Sequence, residues 1–122
     1  MGQCYSVDLR VKILDPLGFV KATERLLEDN PIKKECMYDF KTMDKTPLNC
    51  IRFMFAAIYQ GELSVVDDPN GFVHYRNVFN ATYSWESLLA DWWTMIEPYV
   101  AVGSSIAIYT DTGRLRKHKI DY

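Results

Sequence analysis

Residues 5 to 13 alternate without a break: Tyr5, Val7, Leu9, Val11 and Ile13 are apolar, while Ser6, Asp8, Arg10 and Lys12 are polar. A sustained period of two predicts a strand with one buried face and one solvated face. Such a strand needs partners beside it and helices or a second sheet beneath it. Asp15-Pro16-Leu17-Gly18 then reads as a turn. The spacing predicts a helix over 18–29, with Phe19, Ala22, Leu26 and Leu27 on one side and Lys21, Glu24, Arg25 and Glu28 on the other. Asn30-Pro31 stops it, because proline disfavours helix at the residue before it. The polar stretch 31–45 holds an apolar cluster, Cys36, Met37, Tyr38 and Phe40, that fits either a short strand or a docked loop.

Thr46-Pro47 supplies a capping hydroxyl and a proline for a first helical turn. Leu48, Ile51, Phe55 and Ile58 form the stripe of that helix, Phe53 and Met54 widen it, and Gly61 suits its C-terminal cap. Phe53 is expected either in the core or, if exposed, at a contact. The runs 63–66 and 72–79 flank Asp67-Asp68-Pro69-Asn70-Gly71 as a β-hairpin. Ser84 is placed to cap a third helix, with Glu86 in its first turn and Leu88, Leu89, Trp92, Trp93, Met95 and Ile96 as its apolar face, until Pro98 ends it. A strand over 104–111, the turn Asp111-Thr112-Gly113 and a basic return strand over 114–121 complete the chain.

Without the second helix and the last strand, the order is βαββαβ, the ferredoxin-like arrangement. The expected fold class is therefore α+β: a single antiparallel sheet of ferredoxin-like type backed by helices, with an extra helix and a C-terminal hairpin, as one domain over 1–122. A chain of 122 residues can bury one core of useful size.

A formal net charge of −2 exerts no general pull on nucleic acid or anionic membrane. The odd count of cysteines, Cys4, Cys36 and Cys50, fits a reducing compartment without a disulfide framework. No apolar run is long enough for a membrane span, and no secretory h-region follows the N-terminus, so a cytoplasmic protein is expected. Met1-Gly2-Gln3-Cys4-Tyr5-Ser6 matches the myristoylation pattern, but the strand begins at Tyr5 and leaves only a short tether, so the match reads as coincidence.

Linear catalytic signals are missing. His74 and His118 have no second ligand at metal-site spacing, and a site from Cys36, Cys50 and His74 depends wholly on tertiary placement. There is no Gly-x-Ser-x-Gly elbow, no Gly-x-Gly-x-x-Gly and no Walker lysine motif. No cofactor is expected. The pair Asp67-Asp68 has the oxygen donors for a divalent cation, yet a solvated hairpin tip stabilised by its own Asp and Asn side chains accounts for it better. The segment Arg114, Arg116, Lys117, His118 and Lys119 has the charge to grip phosphates or an acidic surface, or to guard a sheet edge against pairing. On a strand, Arg114, Arg116 and His118 share one face, and Lys117 and Lys119 the other. The rings Phe72, Tyr75, Phe79, Tyr83 and Trp85 resemble a base-stacking set, but packing against Trp92 and Trp93 explains them more simply.

The opening Met1-Gly2-Gln3-Cys4-Tyr5-Ser6, the segment Tyr83-Ser84-Trp85-Glu86 and the pair Gly103-Ser104 resemble small proteins encoded by phages and mobile elements of gut bacteria. That resemblance implies a protein that binds and blocks a host component, such as a defence nuclease; it carries no catalytic residue. The expected function is a non-enzymatic interaction protein with a protein partner. Its contact candidates are Asp67, Asp68, Asn70, Tyr109, Arg114, Arg116, Lys117 and Lys119. Two alternatives stand beside it. One is a small-molecule or nucleotide binder, or a minor enzyme, with Asp8, Arg10, Asp39 and Arg76 in a pocket between sheet and helices; the other is an RNA-binding sheet.

Overall fold

The computed structural model describes residues 2–30, 43–58, 60–111, 113 and 115–120. Its elements run β1 (Gly2–Val11), α1 (Pro16–Asp29), α2 (Pro47–Met54), β2 (Ser64–Asp67), β3 (Val73–Thr82), α3 (Trp85–Ile96), a 3-10 turn (Glu97–Tyr99), β4 (Ser105–Thr110) and β5 (Leu115–Lys119). The five strands form one open sheet in the order β2-β3-β1-β4-β5, and every neighbouring pair is antiparallel. The α+β class, the single antiparallel sheet, its helices and the C-terminal hairpin are as the sequence predicts. The cluster at 36–40 lies outside the described residues.

The alternation in β1 has its expected consequence. Tyr5, Val7, Leu9 and Val11 are fully buried toward the helices, and β1 is central, paired with β3 from Gly2 to Val11 and with β4 from Tyr5 to Arg10. The strand starts at Gly2 rather than Tyr5, so Gly2, Gln3 and Cys4 are paired with Thr82, Ala81 and Asn80. Residues 2–4 are thus sheet and not tether.

Helix α1 corrects one expectation. Asp15-Pro16 is the helix start, not a separate turn: Asp15 Oδ1 accepts from the Gly18 N–H at 3.0 Å and Pro16 occupies the first turn, where its missing N–H is harmless. Gly18 lies so close beneath the Tyr99 ring that a Cβ there would overlap it. Thr46 caps α2 as expected, its hydroxyl accepting from Asn49 N–H at 3.2 Å. That helix ends at Met54, well before Gly61. Ala56 takes the left-handed conformation (φ 51), with Ala56 N–H bonded to Phe53 O and Ala57 N–H to Arg52 O, which is the Schellman hydrogen-bond pattern. Ser84 does not cap α3 with its side chain; its hydroxyl meets that of Thr82 at 2.9 Å instead.

The core lies between the helices and the inner face of the sheet. Trp92 sits at its centre, edge-on to Phe19 and Phe55, with its indole N–H donated to Thr23 Oγ1 at 2.9 Å. Thr23 in turn donates to Phe19 O, so no polar atom of this group is left without a partner. Trp85 donates to Met54 O at 2.8 Å, tying α3 to the end of α2. Phe53 is buried and belongs to the core. Cys50 is buried as well, and desolvation pushes its thiol up to about 11, so it behaves as an apolar filler. No described helix is long and apolar enough to cross a membrane.

Candidate interaction face

Because successive side chains of a strand alternate, burying the odd residues of β1 turns Cys4, Ser6, Asp8 and Arg10 to the opposite face. The register carries that face across the sheet in rows. One row runs Val66, His74, Arg10, Ser105, Lys119, and the next Ser64, Arg76, Asp8, Ala107, Lys117. A third runs Val78, Ser6, Tyr109, Leu115. Among the described residues no helix packs on this face.

Near its β2 side the face carries an ion network. Arg10 Nε lies 3.2 Å from Asp68 Oδ2, its Nη1 donates to Gly103 O at 2.8 Å, and its guanidinium lies 3.9 Å from the centroid of the Phe72 ring. His74 Nε2 is 3.3 Å from the same Asp68 oxygen, and its Nδ1 is 3.8 Å from Asp8 Oδ1. Arg76 Nε approaches Asp8 Oδ2 at 3.7 Å. This cluster pins the β2–β3 turn onto the central strand. The turn is closed by Asp68 N–H to Phe72 O, by Gly71 N–H to Asp68 O, with Gly71 at φ 86, and by Asn70 N–H donating to Asp68 Oδ1 at 2.7 Å.

The Asn70 N–H is the largest influence holding the Asp68 carboxyl below its ordinary 3.8; His74 and Arg10 act the same way. A carboxyl depressed on folding adds stability that is complete above its unfolded value and is lost as pH falls through the folded one. Asp68→Asn is therefore expected to lower the urea midpoint throughout the range from pH 7 down to about 5. The gap to the parent protein should then close below pH 4, in paired titrations followed by tryptophan fluorescence. A gap that persists at pH 2 would show that the turn geometry, and not the charge, is what Asp68 contributes.

Beside the network, Asp8, Ser64, Val66, Asp67, Asp68, Pro69, His74 and Arg76 line an open cleft of about 320 Å³. Its charged groups are mostly engaged with one another. The two ring nitrogens of His74 address different carboxylates, so these donors do not converge on one ion. No group of three His, Cys, Asp or Glu residues suited to a metal occurs among the described residues. Cys50 and His74 lie on opposite sides of the sheet, while Cys36 is outside the described residues.

The contact candidates fall in two places. Asp67, Asp68 and Asn70 form the tip beside edge strand β2, and Lys117 and Lys119 stand on the open face of the opposite edge, β5, with Tyr109 next to them on β4. Arg116 differs from these: it points to the helix side, 3.6 Å from the buried Glu86 carboxylate. Arg114 lies outside the described residues. Asp8, Arg10 and Arg76 are on the open face rather than between sheet and helices, which corrects the pocket expected there; Asp39 is outside the described residues.

Sequence reading missed two features of this face. The Arg10–Asp68–His74–Asp8–Arg76 network was signalled only by the i, i+2 pairs Asp8/Arg10 and His74/Arg76, whose pairing needs the register. Exposed Val78 and Leu115 went unremarked although both fall at outward positions. No protein-family model matches the chain, and neither a curated protein nor a solved structure matches it.

Proposed function

We propose that the protein is a non-enzymatic interaction protein of the cytoplasm that holds a protein partner on the open face of its sheet. The observation that carries this reading is the apolar row across that face. Val78, Tyr109 and Leu115 are 62, 44 and 47% exposed, and Ser6 alone stands between the first two in register. Single exposed apolar residues are ordinary, but registered neighbours that share one face form a patch of the kind that partners cover. The resemblance to phage-encoded proteins supports a narrower form of the proposal, an inhibitor that binds and blocks a host defence component.

The proposal extends to the fold. Read from the β4 side and without β5, the strands run β4-β1-β3-β2, all antiparallel, and this supports a ferredoxin-like sheet with one added edge strand. An RNA-stacking role has less support. Tyr5, Tyr75 and Phe79 share the helix-facing side of the central strands, which leaves Tyr109 and the His74 imidazole, two rows apart, as the rings among the described outward strand positions.

The test is capture from bacterial lysate, with and without nuclease, by the parent protein and by a Val78→Ser/Tyr109→Ala variant. One stoichiometric protein is expected to survive nuclease and to be lost by the variant at unchanged melting temperature. Partners released by nuclease, a partner retained by the variant, or an empty bait would each overturn the reading.

A further inference from the structure

We infer that the β2 edge takes an extended segment of a partner protein as a sixth strand of the sheet, one that sets a basic residue beside Asp67. This contact goes beyond the open-face row and does not depend on it. β2 ends the sheet, and all four of its residues, Ser64–Asp67, are exposed. An edge strand offers its unused main-chain donors and acceptors to any further strand.

The register identifies those groups. Bonded and non-bonded pairs alternate along an antiparallel ladder. Asp68 N–H donates to Phe72 O at 2.8 Å, so the bonded pairs before it are Val66 with His74 and Ser64 with Arg76. Val65 and Asp67 fall between these pairs and turn both N–H and C=O away from β3. Among the described residues nothing hydrogen-bonds to these groups. Natural edges are commonly blunted by lysine or proline. The opposite edge, β5, carries Arg116, Lys117 and Lys119, whereas β2 is Ser-Val-Val-Asp, β-branched at its centre and without a cation.

The side chains narrow the occupant. Val65 and Asp67 lie on the helix-facing side with Tyr75, whose phenol is raised above its ordinary value by burial first and by the Asp67 charge second. Val65 is 50% exposed there, and among the described residues the Asp67 carboxylate has no cation paired with it. An apolar residue opposite Val65 and a Lys or Arg opposite Asp67 match this side. On the open side, Val66 borders the cleft beside the ion network, which suits a threonine-sized side chain. A second copy matches less well, because two β2 edges bring the Asp67 and Asp68 carboxylates of both chains into one short ladder. Nucleic acid lacks the alternating donors and acceptors that an extended peptide presents at strand spacing.

The experiment titrates ¹⁵N-labelled protein with a capped peptide, Thr-Lys-Thr-Ile-Thr-Thr, and with its Glu-for-Lys counterpart. The Val65 and Asp67 amide protons are expected to move downfield as they gain acceptors, with Val66 moving less. Val65→Pro removes one outward N–H and spares the ladder to β3, so its melting temperature should hold while affinity falls roughly tenfold. Asp67→Lys should prefer the Glu peptide, reversing the order shown by the parent protein. No shifts at millimolar peptide, equal binding of the Glu peptide, or undiminished binding by Val65→Pro would overturn the inference. So would a lowered melting temperature for Val65→Pro, which would show that β3 uses that N–H. Self-association without peptide, abolished by Val65→Pro, would overturn it in favour of a second copy. Peptide binding lost by Val78→Ser/Tyr109→Ala would move the contact to the open face. If the peptide fails while a captured partner still requires Val78 and Tyr109, the added strand is lost and the proposed function stands.

Discussion

Trp92→Ala is expected to lower the unfolding free energy by about 3–5 kcal/mol, the range for removing a buried tryptophan and leaving a cavity. Three elements meet at this ring: Phe19 of α1 and Phe55 after α2 both pack against it edge to face, and Thr23 accepts its N–H. Against a total stability of about 5–15 kcal/mol for a domain of this size, that loss is about a fifth or more. Trp92→Phe separates the contributions, since it keeps most of the ring but deprives Thr23 of its donor; a loss of about 1–3 kcal/mol is expected. Urea unfolding at constant slope is the measurement. A loss under about 1.5 kcal/mol for the alanine variant would mean that the helices close over the gap and that Trp92 is not the keystone of the core.

The second large effect separates neighbouring residues of the basic segment. Arg116→Glu places a second carboxylate beside buried Glu86 and is expected to cost about 2–4 kcal/mol, somewhat less than for a fully buried pair because Arg116 keeps contact with water. Lys117→Glu is expected to stay within about 0.5 kcal/mol, as an exposed change on the other face. Thermal unfolding of the two variants decides the matter. Equal melting temperatures would put Arg116 on the surface with Lys117 and dissolve the distinction. The contrast has a functional consequence: charge reversal across the whole segment perturbs the fold, so binding at this edge is best tested at Lys117 and Lys119 alone.

The legibility of the chain varied with the range of the interaction. Pro47 and Thr46 announced α2 because a cap is satisfied within one turn of its own sequence. The end of the same helix was illegible. The residue in the left-handed position is Ala56, not glycine, and it is held there by burial of Phe53, Phe55 and Ala56 itself. Asp15-Pro16 carries the same local cap and first-turn proline as Thr46-Pro47, but the Gly18 that follows makes the stretch read equally well as a turn, and the docking of α1 against α3 favours the helix. At the candidate face, alternation assigned Lys117 and Lys119 to one side and Arg116 to the other, but not which side was solvent. That was settled by the β4–β5 register, which sets Arg116 against Ile108 over the core.

What the sequence by itself determined is therefore the set of elements and the parity of each strand, because periodicity and capping act between residues a few positions apart. The five strands and three helices of the described residues and the buried side of β1 follow from that. Strand order, register and the meeting of distant side chains were decided only by tertiary structure. Arg10 and Asp68 are 58 residues apart in the chain, and Tyr109 and Val78 reach one row only because β1 lies between their strands. Such juxtapositions depend on how whole faces are buried against one another, a property of the assembled sheet and helices that no local stretch of sequence encodes.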